Sequence, residues 1–335
     1  MTFERNGNTK TPSATIGQPL TDMFGNDLVP VAADALRQRY LIPPFSVLSS
    51  RDGDWQRRKR QWIALGIQSE LGRDNGKEGE GLTWKGTAAS FDYYRVKEGT
   101  RETTDTQGTS IFDPVLCELM YSWFCPKGGQ IIDPFAGGSV RGIVATTLGY
   151  RYWGCDLSGK QVEANQEQAL KICPDEIIRW TTGDAKKLLA KAPDADFIFT
   201  CPPYGDLEVY SDDPADLSTM RYDRFISVLH EIIGLACQKL RYNRFACIVV
   251  GDFRDSKGFY HNFVSDTIQG FQEAAVKLYN EVILVTPVGS LPIRITGQFE
   301  AGRKVGKTHQ NVLVFYKGDP EKISSYFSKG DALIV

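Results

Sequence analysis

Residues 128–158 read GGQIIDPFAGGSVRGIVATTLGYRYWGCDLS, and the order of their elements decides the architecture. GGQIIDPFA is a short apolar run ending in Gly-rich turn chemistry. An apolar-periodic stretch, VRGIVATTLGY, follows as a helix, and RYWGCDLS returns as a second strand. A strand, a tight turn, a helix and a second strand make one βαβ unit, which implies parallel strands.

The same alternation continues downstream. QVEANQEQALKI reads as a helix, IIRWTTGDA as a third strand, KKLLAKA as a short helix and ADFIFTCPPY as a fourth strand ending in a Pro-Pro turn. The segment DRFISVLHEIIGLACQKL carries Phe225, Ile226, Leu229, Ile232 and Ile233 at helical spacing. RFACIVVGDF is a fifth strand and NFVSDTIQGFQEAAV the next helix. VKLYNEVILVTPV and QNVLVFYKG form an antiparallel closing pair. Repeated βα units imply a parallel sheet with helices on both faces.

Upstream of residue 111 the character differs. Residues 1 to about 28 are polar, 31–40 read as a short helix, and Pro43-Pro44 breaks it. DWQRRKRQWIALGI places Arg57, Arg58, Lys59 and Arg60 between Trp55 and Trp62 on one helix. That helix either offers its cations to phosphate or packs its tryptophans inward beneath a solvated face. From 72 to about 110 few aliphatics occur, as in a linker. The expected division is an N-terminal appendage over 1–110, a catalytic domain over 111–320 and a tail over 321–335.

Composition excludes several classes. The chain is 41% hydrophobic and 24% charged, the balance of an ordinary globular protein, and no apolar run approaches the roughly 20 residues of a membrane span. The N-terminus lacks a signal-peptide core, so a cytoplasmic location is expected. Seven cysteines without a CxxC pair read as buried thiols, and three histidines give a metal site little to draw on. A net charge of −2 neither requires nor forbids nucleic acid, because phosphate contact needs only a local basic face.

In such a sheet ligands bind at the carboxyl ends of the strands. Four successive ends carry polar or turn residues: Asp133 with Gly137 and Gly138, Asp156, Asp184, and Cys201-Pro202-Pro203-Tyr204. Glycine lets backbone approach a ligand, and the helix starting near Val140 offers free N–H groups to an anion. Asp156, 23 residues after Asp133, suits the two hydroxyls of a ribose, or caps its helix. Asp184 accepts from an adenine amino group or caps the helix after it. Two prolines fix the backbone after the fourth strand, and Tyr204 offers a flat face for a planar base. GDFRD brings Asp252 and Arg254 to the neighbouring strand end. The stretch GSLPIRITGQFEAGRKVGKTH reads as a long basic loop whose Arg294, Arg303, Lys304 and Lys307 either suit phosphate contact or lie as plain surface.

DPFAGG, WGCD, GDA and CPPY, in that order, resemble the cofactor-site and catalytic motifs of the amino-methylating DNA methyltransferases, the N6-adenine and N4-cytosine enzymes. FDPVLCELMYSWFCPKGG resembles the segment that precedes the first motif in that family. PPFSVLSSRDGDWQRRKRQW, CPPYGDLEVYSDDPADLS and GKTHQNVLVFYKG are similar to DNA methylases of bacteriophages and prophages. The likeness runs over roughly residues 41–318.

The resemblance implies a Rossmann-like S-adenosylmethionine-dependent methyltransferase sheet, mostly parallel with an antiparallel closing strand. It implies that Asp133, Phe135 and Gly137 shape the cofactor pocket, that Asp156 holds the ribose and Asp184 the adenine, and that Phe112 and Asp113 close over the methionine end. Residue 201 and the Pro202 carbonyl would accept hydrogen bonds from the target amino group while Tyr204 stacks on the flipped base. Double-stranded DNA is the implied partner and restriction–modification the implied setting, with a cognate nuclease left open.

Two residues depart from the family pattern. The first motif runs Gly137-Gly138-Ser139 where the family has Gly-x-Gly, and Cys201 stands where it has Asp, Asn or Ser. The target therefore stays open between cytosine and adenine. C5 methylation with Cys201 as nucleophile, RNA amino methylation, a dinucleotide-dependent oxidoreductase and a silent DNA-binding module are the competing readings.

Overall fold

The computed structural model describes residues 20–21, 27–28, 40–68, 112–205, 213–289 and 291–327. The expected helix over 31–40 falls outside them except for Tyr40, as do the expected linker over 72–110 and the tail beyond 327. Leu20–Thr21 pairs antiparallel with Asp27–Leu28.

The main sheet has eight strands. In chain order they are β1 (Val47–Ser49), β2 (Gln130–Asp133), β3 (Arg151–Asp156), β4 (Arg179–Thr182), β5 (Ala195–Thr200), β6 (Leu240–Val250), β7 (Lys277–Val285) and β8 (His309–Lys317). Their spatial order is β1-β7-β8-β6-β5-β2-β3-β4. The neighbouring pairs are parallel except those made by β8, which runs antiparallel to both β6 and β7. This is the expected Rossmann-like sheet, mostly parallel with an antiparallel closing strand. The chain builds outward from β2 through β3 to β4, then crosses back to β5 and β6. The strand order therefore reverses between β2 and β5, which opens a crevice at their carboxyl ends.

Alternation along each central strand separates two cores. On β5, Phe197 and Phe199 enter one core and Ile198 the other. On β6, Phe245, Cys247 and Val249 enter the first, while Ala246, Ile248 and Val250 enter the second. Helices α1 (Gly53–Ala64), α2 (Pro114–Phe124) and α3 (Val140–Thr147) supply side chains to the first core. Helices α6 (Tyr222–Lys239) and α7 (Phe263–Glu273) supply the second. Helix α4 (Gly159–Ile172) contributes Val162 and Ala169 to the first core, and α5 (Ala185–Leu188) contributes Ala185 to the second. Five of the seven cysteines are buried.

Three details differ from expectation or go beyond it. The basic connection between β7 and β8 contains a helix, α8 (Leu291–Gly302), where a continuous loop was expected. Pro292 sits in its first turn, where a missing N–H costs nothing. The short strand β1 extends the sheet edge parallel to β7. The tryptophans of α1 point inward, with Trp55 and Trp62 both buried. Three of its four cations have carboxylate partners: Arg57 pairs with Asp54, Arg58 with the fully buried Glu118, and Lys59 with Asp113. Glu118 also accepts from Trp62 Nε1 at 2.7 Å, and Arg58 contributes a second hydrogen bond at 2.8 Å. No described helix is long and apolar enough to cross a membrane.

At the opposite end of the sheet, Asp196 accepts from the Gln130 N–H (2.9 Å), Arg241 (2.7 Å) and Arg244 (3.1 Å). Burial pushes its pKa up, but the N–H and the two guanidinium groups outweigh it and hold the carboxyl below its ordinary value. A carboxyl depressed in the folded state stabilises above its unfolded pKa of about 3.9, and that contribution is lost as pH falls through the folded value. Asp196→Asn is expected to lower the melting temperature at pH 7 and to flatten the loss of stability on acidification below about pH 4. Thermal unfolding between pH 7 and pH 3 checks this; an unaltered acid limb would exclude Asp196 as its source.

Candidate active site

The crevice starts at the end of β2. Asp133 is fully buried, and Oδ1 accepts from the Phe135 N–H (3.1 Å) and the Thr200 hydroxyl (2.6 Å). Oδ2 accepts from Arg141 Nε (2.6 Å) and the Tyr152 hydroxyl (2.7 Å). A carboxylate has about four acceptor sites, and these four donors fill them. Arg141 continues the brace, its Nη2 donating to the Ala136 carbonyl at 2.9 Å and to the Phe135 carbonyl. Burial pulls the Arg141 pKa down, but the Asp133 charge and hydrogen bond, together with Tyr152 and Cys201, outweigh it and raise the pKa, so the guanidinium stays protonated. Asp133 thus fixes the shape of the 133–139 turn.

The second strand end is tied to that turn. Asp156 Oδ2 accepts from the Gly137 N–H (2.9 Å), Oδ1 accepts from the Ser158 N–H (2.9 Å), and Asn165 donates to the Gly137 carbonyl (2.7 Å). Gly137 has φ 51°, a conformation that glycine adopts without a Cβ penalty. Ser158, not Asp156, caps α4, since its hydroxyl accepts from the Gln161 N–H. Asp184, by contrast, does cap its helix, with Oδ1 accepting from the Lys186 N–H at 2.9 Å.

Phe112 lies over the Arg141 guanidinium at 4.5 Å and meets Phe199 edge-on at 5.5 Å. Asp113 caps α2 through the Val115 N–H (2.9 Å) and faces α1, accepting from Trp55 Nε1 (3.1 Å) with Lys59 Nζ at 3.5 Å. The basic helix therefore grips the segment that carries Phe112.

After Thr200 the chain enters Cys201-Pro202-Pro203-Tyr204. Pro202 is buried, and Cys201, Pro203 and Tyr204 are half-buried. The Cys201 sulfur lies 3.9 Å from both the Pro202 carbonyl and the Tyr204 hydroxyl. Gln310 Nε2 donates to the Tyr204 hydroxyl at 2.8 Å, and Phe263 meets the Tyr204 ring edge-on at 6.0 Å. At Gly205, φ is 55° and a Cβ would stand 2.6 Å from the Phe253 ring, so only glycine lets the turn pack this closely.

The basic residues of the β7–β8 connection separate. Lys307 is half-buried, with Nζ 3.4 Å from the Asp252 carbonyl, and burial lowers its pKa against the pull of Asp252. Burial and then Lys307 also lower the His309 pKa. Arg303 stacks over Phe299 at 5.2 Å, Lys304 lies against Gly258, and Arg294 is carried on α8. Sequence reading missed Arg141, Tyr152, Thr200 and Gln310 as supports of the site. Only Arg141 leaves a trace, as a lone charge in the apolar helix VRGIVATT. No group of three metal-ligating side chains occurs among the described residues.

No family profile and no curated protein matches the chain. Solved structures similar to it include TrmN from Thermus thermophilus, at 17% identity and a TM-score of 0.43 over 62% of this chain and 49% of that one. Another is a TehB-like SAM-dependent methyltransferase from Corynebacterium glutamicum, at 16% identity and 0.39 over 63% and 90%. A third is magnesium protoporphyrin IX methyltransferase from Synechocystis with bound SAM, at 13% identity and 0.37 over 57% and 71%. The chain thus spans about half the length of TrmN. The fold assignment rests on strand order and register, not on these scores.

Proposed function

We propose that the chain is an S-adenosylmethionine-dependent methyltransferase acting on the exocyclic amino group of a flipped cytosine or adenine in double-stranded DNA. The observation that carries this reading is the juxtaposition at the switch point. The Asp133-braced turn, tied to Asp156, ends one strand, and Cys201-Pro202-Pro203-Tyr204 ends the strand beside it. The residues fit the cofactor. Asp156 is half-buried at the end of β3, its carboxylate held at the crevice by the Gly137 and Ser158 N–H groups, where an acceptor suits ribose hydroxyls. Ser139 makes no side-chain cap on α3, so the first-turn N–H groups suit a methionine carboxylate. Asp184 takes the adenine side, and Phe112 and Phe135 the apolar walls.

Bound there, S-adenosylmethionine supplies an electrophilic methyl group. Cys201 and the Pro202 carbonyl would accept the two amino hydrogens and aim the nitrogen lone pair at the methyl carbon, and Tyr204, pinned by Gln310, would stack on the base. As the C–N bond forms the methyl–sulfur bond would break, and the surplus amino proton would pass to solvent. No covalent enzyme intermediate is needed. Arg303, Lys304 and Lys307 would meet phosphates, as would Arg294, whose side chain lies outside the described residues. The test is incubation with labelled cofactor and mixed-sequence duplex DNA, with RNA in parallel, followed by nucleoside mass spectrometry. N4-methylcytosine or N6-methyladenine supports the reading, and label confined to RNA or absent overturns it.

Asp156→Ala is expected to weaken cofactor binding by roughly 1.5–3 kcal/mol per charged hydrogen bond lost. Calorimetry on the folded variant measures it, with Asp156→Asn as the control that keeps an acceptor for Gly137. Unchanged affinity in the alanine variant removes Asp156 from the site.

A further inference from the structure

Between β6 and α7 the chain makes an excursion longer than the roughly 2–6 residues usual for such a connection. Its base is closed by the His261 N–H donating to the Phe253 carbonyl at 2.9 Å, and Phe253 packs against Gly205 of the catalytic turn. From there residues 254–260 stand out as a braced hairpin. Arg254 and Tyr260 form an antiparallel bridge, and the Asp255 N–H donates to the Phe259 carbonyl at 2.8 Å. The Asp255 carboxylate accepts from the Phe259 N–H at 2.8 Å. Arg254 Nη1 donates to the Gly258 carbonyl at 2.8 Å, and its guanidinium lies 3.8 Å over the Tyr260 ring.

This rigid element sends its aromatic side chains outward. Phe259 is 72% exposed and Tyr260 46% exposed. Neither belongs to either core. Cations surround them: Arg254 on the hairpin, Lys257 at its tip, and Lys304 against Gly258 from the β7–β8 connection. The one acid of the hairpin, Asp255, is engaged with its own backbone. Exposed rings among cations, on a stiff support rooted beside the catalytic turn, are complementary to a polyanion with stacked planar bases.

We propose that residues 254–260 form a nucleic-acid finger: Phe259 stacks on the base next to the target, in the gap left when the target turns outward, while Arg254, Lys257 and Lys304 face the adjoining phosphates. This rests on the proposed DNA substrate. It adds a second stacking surface to that of Tyr204.

The test compares the full-length wild type with Phe259→Ala and Phe259→Trp. Four quantities are read: melting temperature, S-adenosylmethionine affinity by calorimetry, affinity for a fluorescein-labelled mixed-sequence duplex by anisotropy, and methyl transfer. Phe259→Ala is expected to weaken duplex binding roughly tenfold and to slow transfer at fixed DNA, with melting temperature and cofactor affinity unchanged and with tryptophan restoring both losses. A wild type that methylates DNA with an indistinguishable alanine variant overturns the finger alone. A fall in melting temperature or cofactor affinity that matches the loss of DNA binding makes Phe259 a packing residue and overturns it as well. A wild type that neither binds nor methylates the duplex overturns both the finger and the DNA substrate.

Discussion

Replacing Arg141 with methionine is expected to destabilise the fold by about 3–5 kcal/mol, the usual cost of removing one partner from a buried ion pair. The Asp133 carboxyl would lose its guanidinium partner at a site where solvent does not reach. The carbonyls of Phe135 and Ala136 would lose their shared donor as well. Lysine should not rescue, because a single ammonium cannot reproduce the planar fork that reaches a carboxylate and two carbonyls together. Pairing Arg141→Met with Asp133→Asn should cost less than the sum of the two single changes, since the double variant leaves no unpaired charge. Urea unfolding at pH 7 measures all four variants. A loss under about 1 kcal/mol for Arg141→Met, or strict additivity in the cycle, would show that the pair does not hold the turn.

That pair also marks the boundary of what the sequence reveals. The strands are legible along the chain because each is a short apolar run bounded by turn residues, and QIID, RYWGCD and ADFIFT fall within the expected segments GGQIIDPFA, RYWGCDLS and ADFIFTCPPY. The four strand-end motifs are legible for the same reason, since spacing in a βα repeat fixes which end of the sheet each occupies. What fills their hydrogen bonds is not legible. Asp133 is satisfied by Thr200, Tyr152 and Arg141, which lie 67, 19 and 8 residues away. Asp156 and Asp184 look alike in sequence, each following a strand and preceding a helix. Ser158 takes over the capping role in one case, and no residue does in the other. Helix α8 was obscured by Gly297 within it and by Pro292, a residue that reads as a loop yet is well tolerated in a helix's first turn. Strand β1 has three residues and little pattern of its own, so only its pairing with β7 makes it a strand.

Cys201→Ser is the substitution on which two chemistries disagree in sign. If the target is an exocyclic amine, residue 201 needs only to accept a hydrogen bond, and the thiol is a poor acceptor. A hydroxyl of similar size should then retain transfer or raise it roughly two- to tenfold, the equivalent of about 0.5–1.5 kcal/mol for one better hydrogen bond. The surroundings permit the exchange, because the sulfur is half-buried and its contacts at 3.9 Å, to the Pro202 carbonyl and the Tyr204 hydroxyl, both leave room for a shorter oxygen. If instead Cys201 attacks a pyrimidine ring and the methyl goes to C5, serine should abolish transfer, because an unactivated hydroxyl is a far weaker nucleophile than a thiolate. Single-turnover transfer from labelled cofactor, with melting temperature and cofactor affinity measured on the same preparation, separates the outcomes. An active serine variant making N4-methylcytosine or N6-methyladenine is the expected result. A folded, cofactor-binding, inactive serine variant beside a wild type that makes 5-methylcytosine would transfer the whole site to covalent chemistry, with Pro202 and Tyr204 reduced to holding the ring that Cys201 attacks.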